Sequence, residues 1–184
     1  MDNVNGIIQG QRHGKLTKKG IEQAKKLAER LKDEKIDVIF SSDLQRVVDT
    51  TKEIAKYHNV PIHYTSELRE ISFGIFEGKH RADYLKYLEK TKLSELDFKP
   101  EGGEDNFELR DRVKGFLDKL FIGYKNKTVL ISSHGRTNKV LLGLLLNRDL
   151  EEALKIKQFN CCMNVVKVGE GERKTYLINC IKHL

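Results

Sequence analysis

The clearest pattern near the start of the chain is a stripe of apolar side chains at helical spacing. The stripe consists of Ile21, Ala24, Leu27, Ala28 and Leu31. Because these positions share one face at 3.6 residues per turn, they predict an amphipathic helix from Thr17 to about Lys32. The Thr17 hydroxyl can accept from an unpaired backbone amide of the first turn, so Thr17 is the expected N-cap.

Short apolar runs then alternate with helical patterns. Residues 36–40 and 60–64 each predict a strand, and the helix between them follows Ser41-Ser42-Asp43. The apolar positions of that helix are Val47, Val48, Ile54 and Ala55. A strand–helix–strand order favours parallel strands with helices packed on the sheet. The expected fold class is therefore α/β, a three-layer αβα arrangement with a mostly parallel central sheet.

The second half of the chain continues in the same manner after an irregular stretch at 67–79. The expected helices are 81–92, 106–120 and 140–146, and the expected strands are 128–132, 160–168 and 175–180. The sequence has no internal repeat, low-complexity tract or proline-rich linker. We therefore expect residues 1–184 to form one domain.

Composition and charge narrow the class of protein. The net charge is +7, but the lysines are scattered over polar helix positions with no aromatic interleaving, so no nucleic-acid partner is expected. The longest apolar run, 140–146, is too short to span a membrane, and the first five residues lack the features of a signal peptide. Cys161, Cys162 and Cys180 fit reduced thiols, and no Cys/His spacing suggests a metal. The expected location is cytoplasmic.

Two strand ends carry side chains suited to chemistry. The first is Ser41-Ser42-Asp43-Leu44-Gln45-Arg46, and the second is Ser132-Ser133-His134-Gly135. Residues just beyond the carboxyl ends of parallel strands line the ligand crevice of an open α/β sheet. We therefore expect one arginine and one histidine to converge there.

Six segments follow one another in a set order: LTKKGIEQAKKLAERL, SSDLQR, ELREISFGIFEGK, EGGE, ISSHGR and NCCMNVVKV. Together they resemble the histidine phosphatase superfamily, in its phosphoglycerate-mutase-like branch, from about Asn3 to the C-terminus. The resemblance implies a phosphoglycerate-mutase-like fold and a reaction on a small phosphorylated metabolite through a phosphohistidine intermediate. It implies no metal and no cofactor.

The resemblance also assigns roles to residues. Arg46 matches the arginine that clamps the phosphate, His134 matches the second histidine that contacts the phosphoryl group, and Glu70 matches the acid/base. Glu67 and Glu77 are rival carboxylates in the same segment.

The triplet Arg12-His13-Gly14 resembles the nucleophile motif of the family. In the family a longer spacer separates that motif from a Leu-Thr pair, whereas here Lys15 alone separates Gly14 from Leu16. Aligned from Leu16, the segment Asn3 to Gln9-Gly10 matches the stretch that follows the nucleophile. On this register Asn3 contacts phosphate, and Gln9 and Gly10 line the substrate site.

On this register His13 lies in a variable loop. The nucleophile, and the strand that carries it in the family, would then precede Met1. The alternative keeps His13 as nucleophile and needs residues 6–11 to be the central strand. That segment has only two apolar residues, flanked by glycine and glutamine, which disfavours a strand buried on both faces.

Three functional alternatives follow. We favour phosphomonoester hydrolysis over phosphoglycerate mutation, because the chain is shorter than typical mutases. A chain without the nucleophile would be inactive or a non-catalytic anion-binding protein. Such a chain would expose unpaired strand edges, and we expect it to be destabilised or rescued by a substitute strand or by association, which leaves a homo-oligomer open.

Overall fold

The computed structural model describes residues 6–169 and 171–184. The helices are α1 (Lys18–Leu31), α2 (Gln45–Ala55), α3 (Arg81–Thr91), α4 (Asn106–Gly123), α5 (Gly135–Leu146) and α6 (Leu150–Lys155). The strands are β1 (Val38–Ser42), β2 (Ile62–Thr65), β3 (Val129–Ser132), β4 (Met163–Val168) and β5 (Arg173–Cys180). Two single 3-10 turns, Ser66–Leu68 and Gly74–Phe76, lie at the start of and within the stretch expected to be irregular.

β1 lies at the centre of a parallel three-stranded sheet in the order β2-β1-β3. Ile39 is in register with Ile62 of β2 on one side and with Leu130 of β3 on the other. The carboxyl ends of β1 and β3 are therefore adjacent, as parallel pairing requires. This places the two segments that carry Arg46 and His134 at one edge of the sheet.

Helices cover both faces of this sheet, and each face has its own apolar core. Side chains alternate along a strand, so Ile39 and Leu130 belong to one core with α1 and α2. Phe40 and Ile131 belong to the other, with α3, α4 and α5. The three-layer αβα architecture is confirmed.

The two closing strands expected at the end of the chain lie outside the central parallel sheet. β4 and β5 pair antiparallel with each other and form a separate two-stranded sheet among the described residues. All residues of β3 and of β4 line one cavity, which lies between the two sheets. A groove therefore runs between the two sheets.

Most helix positions agree with the apolar periodicity. Thr17 is the N-cap of α1, and its Oγ1 accepts from Gly20 N at 3.0 Å. The apolar pattern did not predict α6, which is only six residues long and is capped by the side chain of Asp149. No helix among residues 6–169 and 171–184 is long and apolar enough to cross a bilayer.

Candidate active site

The side chains expected at the two strand ends meet in the structure. His134 follows β3 as the N-cap of α5, and its Nε2 lies 2.9 Å from the Oγ of Ser42, the last residue of β1. Both residues are buried. The parallel pairing of β1 with β3 brings them together, although they lie far apart in sequence.

The surroundings of His134 favour its neutral form. Burial lowers the pKa of His134 well below 6.5, and the nearby guanidinium groups of Arg46 and Arg112 lower it further. A neutral imidazole has one donor and one acceptor nitrogen. His134 can therefore donate a hydrogen bond to an anion without carrying a charge of its own.

Arg46 lies in the first turn of α2 and points back to the loop that follows Ile8. Its guanidinium donates to the carbonyl oxygen of Gly10 at 2.7 Å and to that of Arg12 at 3.0 Å. Arg46 is half-buried and close enough to His134 to affect its pKa. Arg46 thus connects the strand-end site to the loop at 9–12.

Glu70 is fixed at the N-terminus of α5 by several hydrogen bonds. Its Oε1 accepts from Thr137 N and Thr137 Oγ1, both at 3.2 Å, and from Ile71 N at 3.1 Å. Its Oε2 accepts from Arg136 N at 3.2 Å. The start of a helix offers free amides and a positive dipole end, so a carboxylate is well placed there. These bonds define the orientation of Glu70.

One cavity of about 1930 Å³ is lined by the three side chains expected to act on a phosphate ester. Arg46, Glu70 and His134 line it, together with Gln9 and Gly10. The rival carboxylates are used elsewhere, because Glu67 pairs with Lys119 at 2.8 Å and Glu77 accepts from Gln11 N at 2.9 Å. Neither Glu67 nor Glu77 lines this cavity.

Gln9 and Gly10 form the rim of the cavity near Arg46. Gln9 is buried, and Gly10 has a φ of +53°, a conformation that favours glycine. A Cβ on Gly10 would also collide with the Glu77 carboxylate. Asn3, the other expected substrate contact, lies outside the described residues.

His13 lies next to Arg12, whose carbonyl oxygen accepts from Arg46, but His13 itself does not line the cavity. It is exposed on the loop between Gly10 and α1. The segment 6–11 also forms no strand, but only a single bridge between Ile7 and His80. The central strand that a nucleophilic His13 would need is therefore not formed by that segment.

One positioning residue, Arg112, was not indicated by the sequence. Arg112 on α4 donates from Nε and Nη2 to the two oxygens of Glu104, both at 2.8 Å. Its Nη1 donates to the carbonyl oxygens of Glu67 at 2.8 Å and Arg69 at 3.1 Å. Arg112 thus fixes the backbone that carries Glu70. In sequence it is one more charged residue on the polar face of a helix, so no pattern distinguished it.

Cationic side chains also border the cavity beyond Glu70. Lys139 lines it and donates from Nζ to Leu154 O at 2.8 Å, and burial lowers the pKa of Lys139. Arg136 lines it as well and pairs with Glu95. No group of three or more His, Cys, Asp or Glu side chains that could hold a metal occurs in the described part of the chain.

Comparison with known proteins gives a consistent result. The sequence pattern of the histidine phosphatase superfamily (branch 1) matches residues 1–181. Phosphoserine phosphatase 1 of Hydrogenobacter thermophilus is 30% identical over 190 aligned residues, which cover 99% of this chain and 88% of that protein. A Proteus mirabilis protein named "Probable phosphoglycerate mutase GpmB" is 31% identical, with 89% of this chain and 78% of that protein covered.

A solved structure is similar over nearly the whole chain. The alpha-ribazole phosphatase from Shigella flexneri superposes with a TM-score of 0.88 at 25% identity, covering 97% of this chain and 91% of that one.

Proposed function

Since this chain belongs to the histidine phosphatase superfamily (branch 1), we propose that it is a phosphomonoester phosphatase whose site is the cavity beyond β1 and β3. The observation that carries the proposal is that Arg46, Glu70 and His134 line that one cavity. A phosphoryl group spreads negative charge over three oxygens, so its transfer needs hydrogen-bond donors and a cation. Breaking the ester bond also needs a proton for the leaving oxygen.

Arg46 and His134 would hold the phosphoryl group. His134 is buried where its neutral form is favoured, so it can donate to a phosphate oxygen, while Arg46 supplies the charge that offsets the dianion. Arg46 already donates to the carbonyl groups of Gly10 and Arg12. On substrate binding it would share or exchange these bonds for phosphate oxygens, which couples the 9–12 loop to the ligand.

Glu70 would act as the acid and then as the base. A histidine nitrogen attacks phosphorus, the bond from phosphorus to the leaving oxygen breaks, and the Glu70 carboxyl gives its proton to that oxygen. The Glu70 carboxylate then takes a proton from water as the water attacks the phosphohistidine. Inorganic phosphate leaves and the histidine is restored.

A second function, anion binding without turnover, is favoured by one specific observation. The phosphohistidine route uses one histidine to attack and another to hold the phosphoryl group. Within residues 6–169 and 171–184, His134 is the only histidine that lines the cavity, and it is bonded to Ser42. A chain with the holding groups but no attacking histidine would bind phosphate and release it unchanged.

Phosphoglycerate mutation is the third alternative, and it would use the same residues. The name of the Proteus mirabilis relative motivates it, whereas the names of the Hydrogenobacter thermophilus and Shigella flexneri proteins motivate hydrolysis. The substrate in each case is a small phosphorylated metabolite. Release of inorganic phosphate from phosphoserine, compared with isomerisation of 3-phosphoglycerate, separates the two reactions.

The central test is hydrolysis of para-nitrophenyl phosphate by the parent chain, Glu70→Gln and Glu67→Gln. Removing general acid/base catalysis typically costs about 100- to 10,000-fold in rate, so we expect Glu70→Gln to lose at least about 100-fold. Glu67→Gln is the matched control, since Glu67 pairs with exposed Lys119 outside the cavity. It should stay within about twofold of the parent. Equal rates for the parent and Glu70→Gln would contradict the proposal.

Binding of inorganic phosphate, measured by calorimetry, distinguishes the first two functions. Binding that His134→Gln weakens, together with turnover, supports a phosphatase, whereas binding without turnover supports the anion-binding protein. Neither binding nor turnover would remove both. His13→Ala should retain the parent's behaviour because His13 is exposed and outside the cavity lining. Loss of turnover in His13→Ala, but not in His80→Ala, would assign the attack to His13.

A further inference from the structure

Three cationic side chains line the cavity next to the acid/base candidate. They are Arg81 of α3 together with Arg136 and Lys139 of α5, and we call them the cationic cluster. The backbone N–H of Arg136 donates to Glu70 Oε2 at 3.2 Å. This bond attaches the cluster to the carboxyl group expected to protonate the leaving oxygen. The part of a substrate that departs with that oxygen would therefore lie beside these cations.

Glu95 holds the two arginines of the cluster together. Its Oε1 accepts from Arg136 Nη2 at 2.5 Å and from Arg81 Nη2 at 3.3 Å. Burial acts to raise the pKa of Glu95, but the charges of Arg136 and Arg81 lower it by more, so the carboxylate stays ionised. Glu95 is not among the residues that line the cavity. The two guanidinium groups thus share one counterion and themselves face the cavity.

The guanidinium of Arg136 is fixed by residues of the chain itself. Its Nη1 donates to Asn106 Oδ1 at 3.1 Å, and it lies 5.4 Å from the ring centre of Phe73. Asn106 is buried, and its Nδ2 donates to the carbonyl oxygens of Glu95 and Leu96, both at 2.9 Å. Two of the five N–H donors of Arg136 are thus bonded within residues 6–169 and 171–184, and three remain for a ligand. A guanidinium fixed in this way loses little freedom when it binds an anion.

Lys139 adds a positive charge that no carboxylate of the described residues pairs with directly. Its Nζ donates to the carbonyl oxygen of Leu154 at 2.8 Å, and burial lowers the pKa of Lys139. Burying a charge without a counterion is costly. With Glu70 and Glu95 ionised, the three cations leave one positive charge in excess, and a single carboxylate of a ligand would offset it.

We propose that the cationic cluster binds a carboxylate on the leaving group, so that the preferred substrate is the phosphate ester of a small hydroxy acid. The inference rests on the proposed function, because it names the substrate class of the same site. The planar fork of an arginine matches the two oxygens of a carboxylate. Arg136 and Arg81 are then specificity-determining residues, whereas Arg46 and His134 hold the phosphoryl group that all substrates share.

The probes are two esters that differ only at the far end of the leaving group. 3-(Phosphonooxy)propanoate has a carboxylate there, whereas 3-hydroxypropyl phosphate has a neutral hydroxymethyl group. Where the chain hydrolyses the esters, kcat/KM is measured by phosphate release, and where it does not, the dissociation constant is measured by calorimetry. A hydrogen bond to a charged group is usually worth at least about tenfold in affinity, so we expect the carboxylate ester to be favoured by at least that factor.

Variants test which residues carry this preference. Arg136→Gln should reduce it at least about tenfold, and Arg81→Gln should reduce it in the same direction. Arg136→Lys should keep part of it, because lysine retains the charge but lacks the planar fork. Arg110→Gln is the matched control, since Arg110 pairs with Asp111 on α4 outside the cavity lining. It should keep the preference of the parent chain.

The outcomes separate this inference from the proposed function. Hydrolysis of both esters with equal kcat/KM, or a preference that Arg136→Gln leaves unchanged, would overturn the carboxylate subsite while the phosphatase proposal stands. Binding without turnover, with a preference for the carboxylate ester that Arg136→Gln removes, would support the subsite and contradict the phosphatase. Failure to bind either ester would overturn both.

Two further measurements complete the test. If Arg136→Gln fails to fold, Arg81→Gln and the preference of the parent chain decide. The bisphosphate of 1,3-propanediol presents a second phosphate in place of the carboxylate. Tighter binding of this bisphosphate than of the carboxylate ester would overturn the assignment to a carboxylate.

Discussion

β1 and β3 have nearly the same sequence but very different surroundings. β1 and its neighbour in register read Val-Ile-Phe-Ser-Ser at 38–42 and Val-Leu-Ile-Ser-Ser at 129–133. Four of the five β1 residues are buried, whereas every residue of β3 is half-buried. β1 is paired on both sides, and β3 is paired with β1 on one side only among the described residues. The apolar pattern predicts a buried strand, but pairing decides how completely it is buried.

β3 also borders two distinct parts of the molecule, the strand-end site and the groove between the two sheets. The carboxyl ends of β1 and β3 lie side by side, so Ser42 and His134 meet at 2.9 Å. All four residues of β3 also line the cavity along the groove between the two sheets. One strand therefore takes part in two features, a polar site at its end and an apolar groove along its side.

The largest expected effect compares one core residue from each strand. Ile39 of β1 is fully buried at 0% exposure, whereas Leu130 in register with it is only partly buried. Replacing a buried isoleucine or leucine by alanine costs about 2–5 kcal/mol. We expect the loss of stability in Ile39→Ala to fall in the upper half of that range, and the loss in Leu130→Ala to fall below its lower end. The free energy of unfolding in urea measures both, and equal costs would show that the free edge does not weaken β3.

The next effect concerns the pH dependence of stability at the end of β3. Burial and Arg46 lower the pKa of His134 below its ordinary value of 6.5. At pH values between the lowered pKa and 6.5, the unfolded chain therefore takes up a proton that the folded chain does not. The stability that this difference contributes to the free energy of unfolding is complete above about pH 6.5, and it is lost as the pH falls towards the lowered pKa. One proton gives at most about 1.4 kcal/mol per pH unit.

Urea unfolding of the parent and His134→Gln at pH 7.5 and pH 5 tests this. The parent should lose about 1–2 kcal/mol more than His134→Gln on acidification, because only the parent has this buried imidazole to protonate. The same loss in both chains would show that His134 does not carry the effect.

The smallest effect compares two serines in register. Ser41 of β1 pairs through its Oγ with Thr51 Oγ1 of α2 at 2.9 Å, and both are fully buried. Ser132, its partner on β3, is half-buried. Thr51→Val removes the hydrogen-bond partner of Ser41, and we expect it to lower stability by about 1 kcal/mol, the usual net value of a buried hydrogen bond. We expect Ser132→Ala to lower stability by less than about 0.5 kcal/mol. Thermal unfolding resolves the two, and a reversed order would contradict the comparison.

The sequence predicted the main elements and the place of the candidate site, because both depend on local patterns. The apolar stripe of α1 and its cap at Thr17 follow from helical spacing alone. Arg46 and His134 were expected to converge because parallel strands bring their carboxyl ends together. The short helix α6 was missed, since six residues give too little periodicity to detect.

The tertiary structure decided what depends on contacts between distant residues. It assigns Arg112 to the backbone beneath Glu70, attaches Arg46 to the carbonyl groups of Gly10 and Arg12, and leaves β4 with β5 in a sheet of their own. None of these follows from spacing, because a hydrogen bond or a strand pairing between remote segments has no periodic signature. The sequence by itself thus determined the elements and the family resemblance, whereas only the fold decided which strand edges are paired and which polar groups face the site.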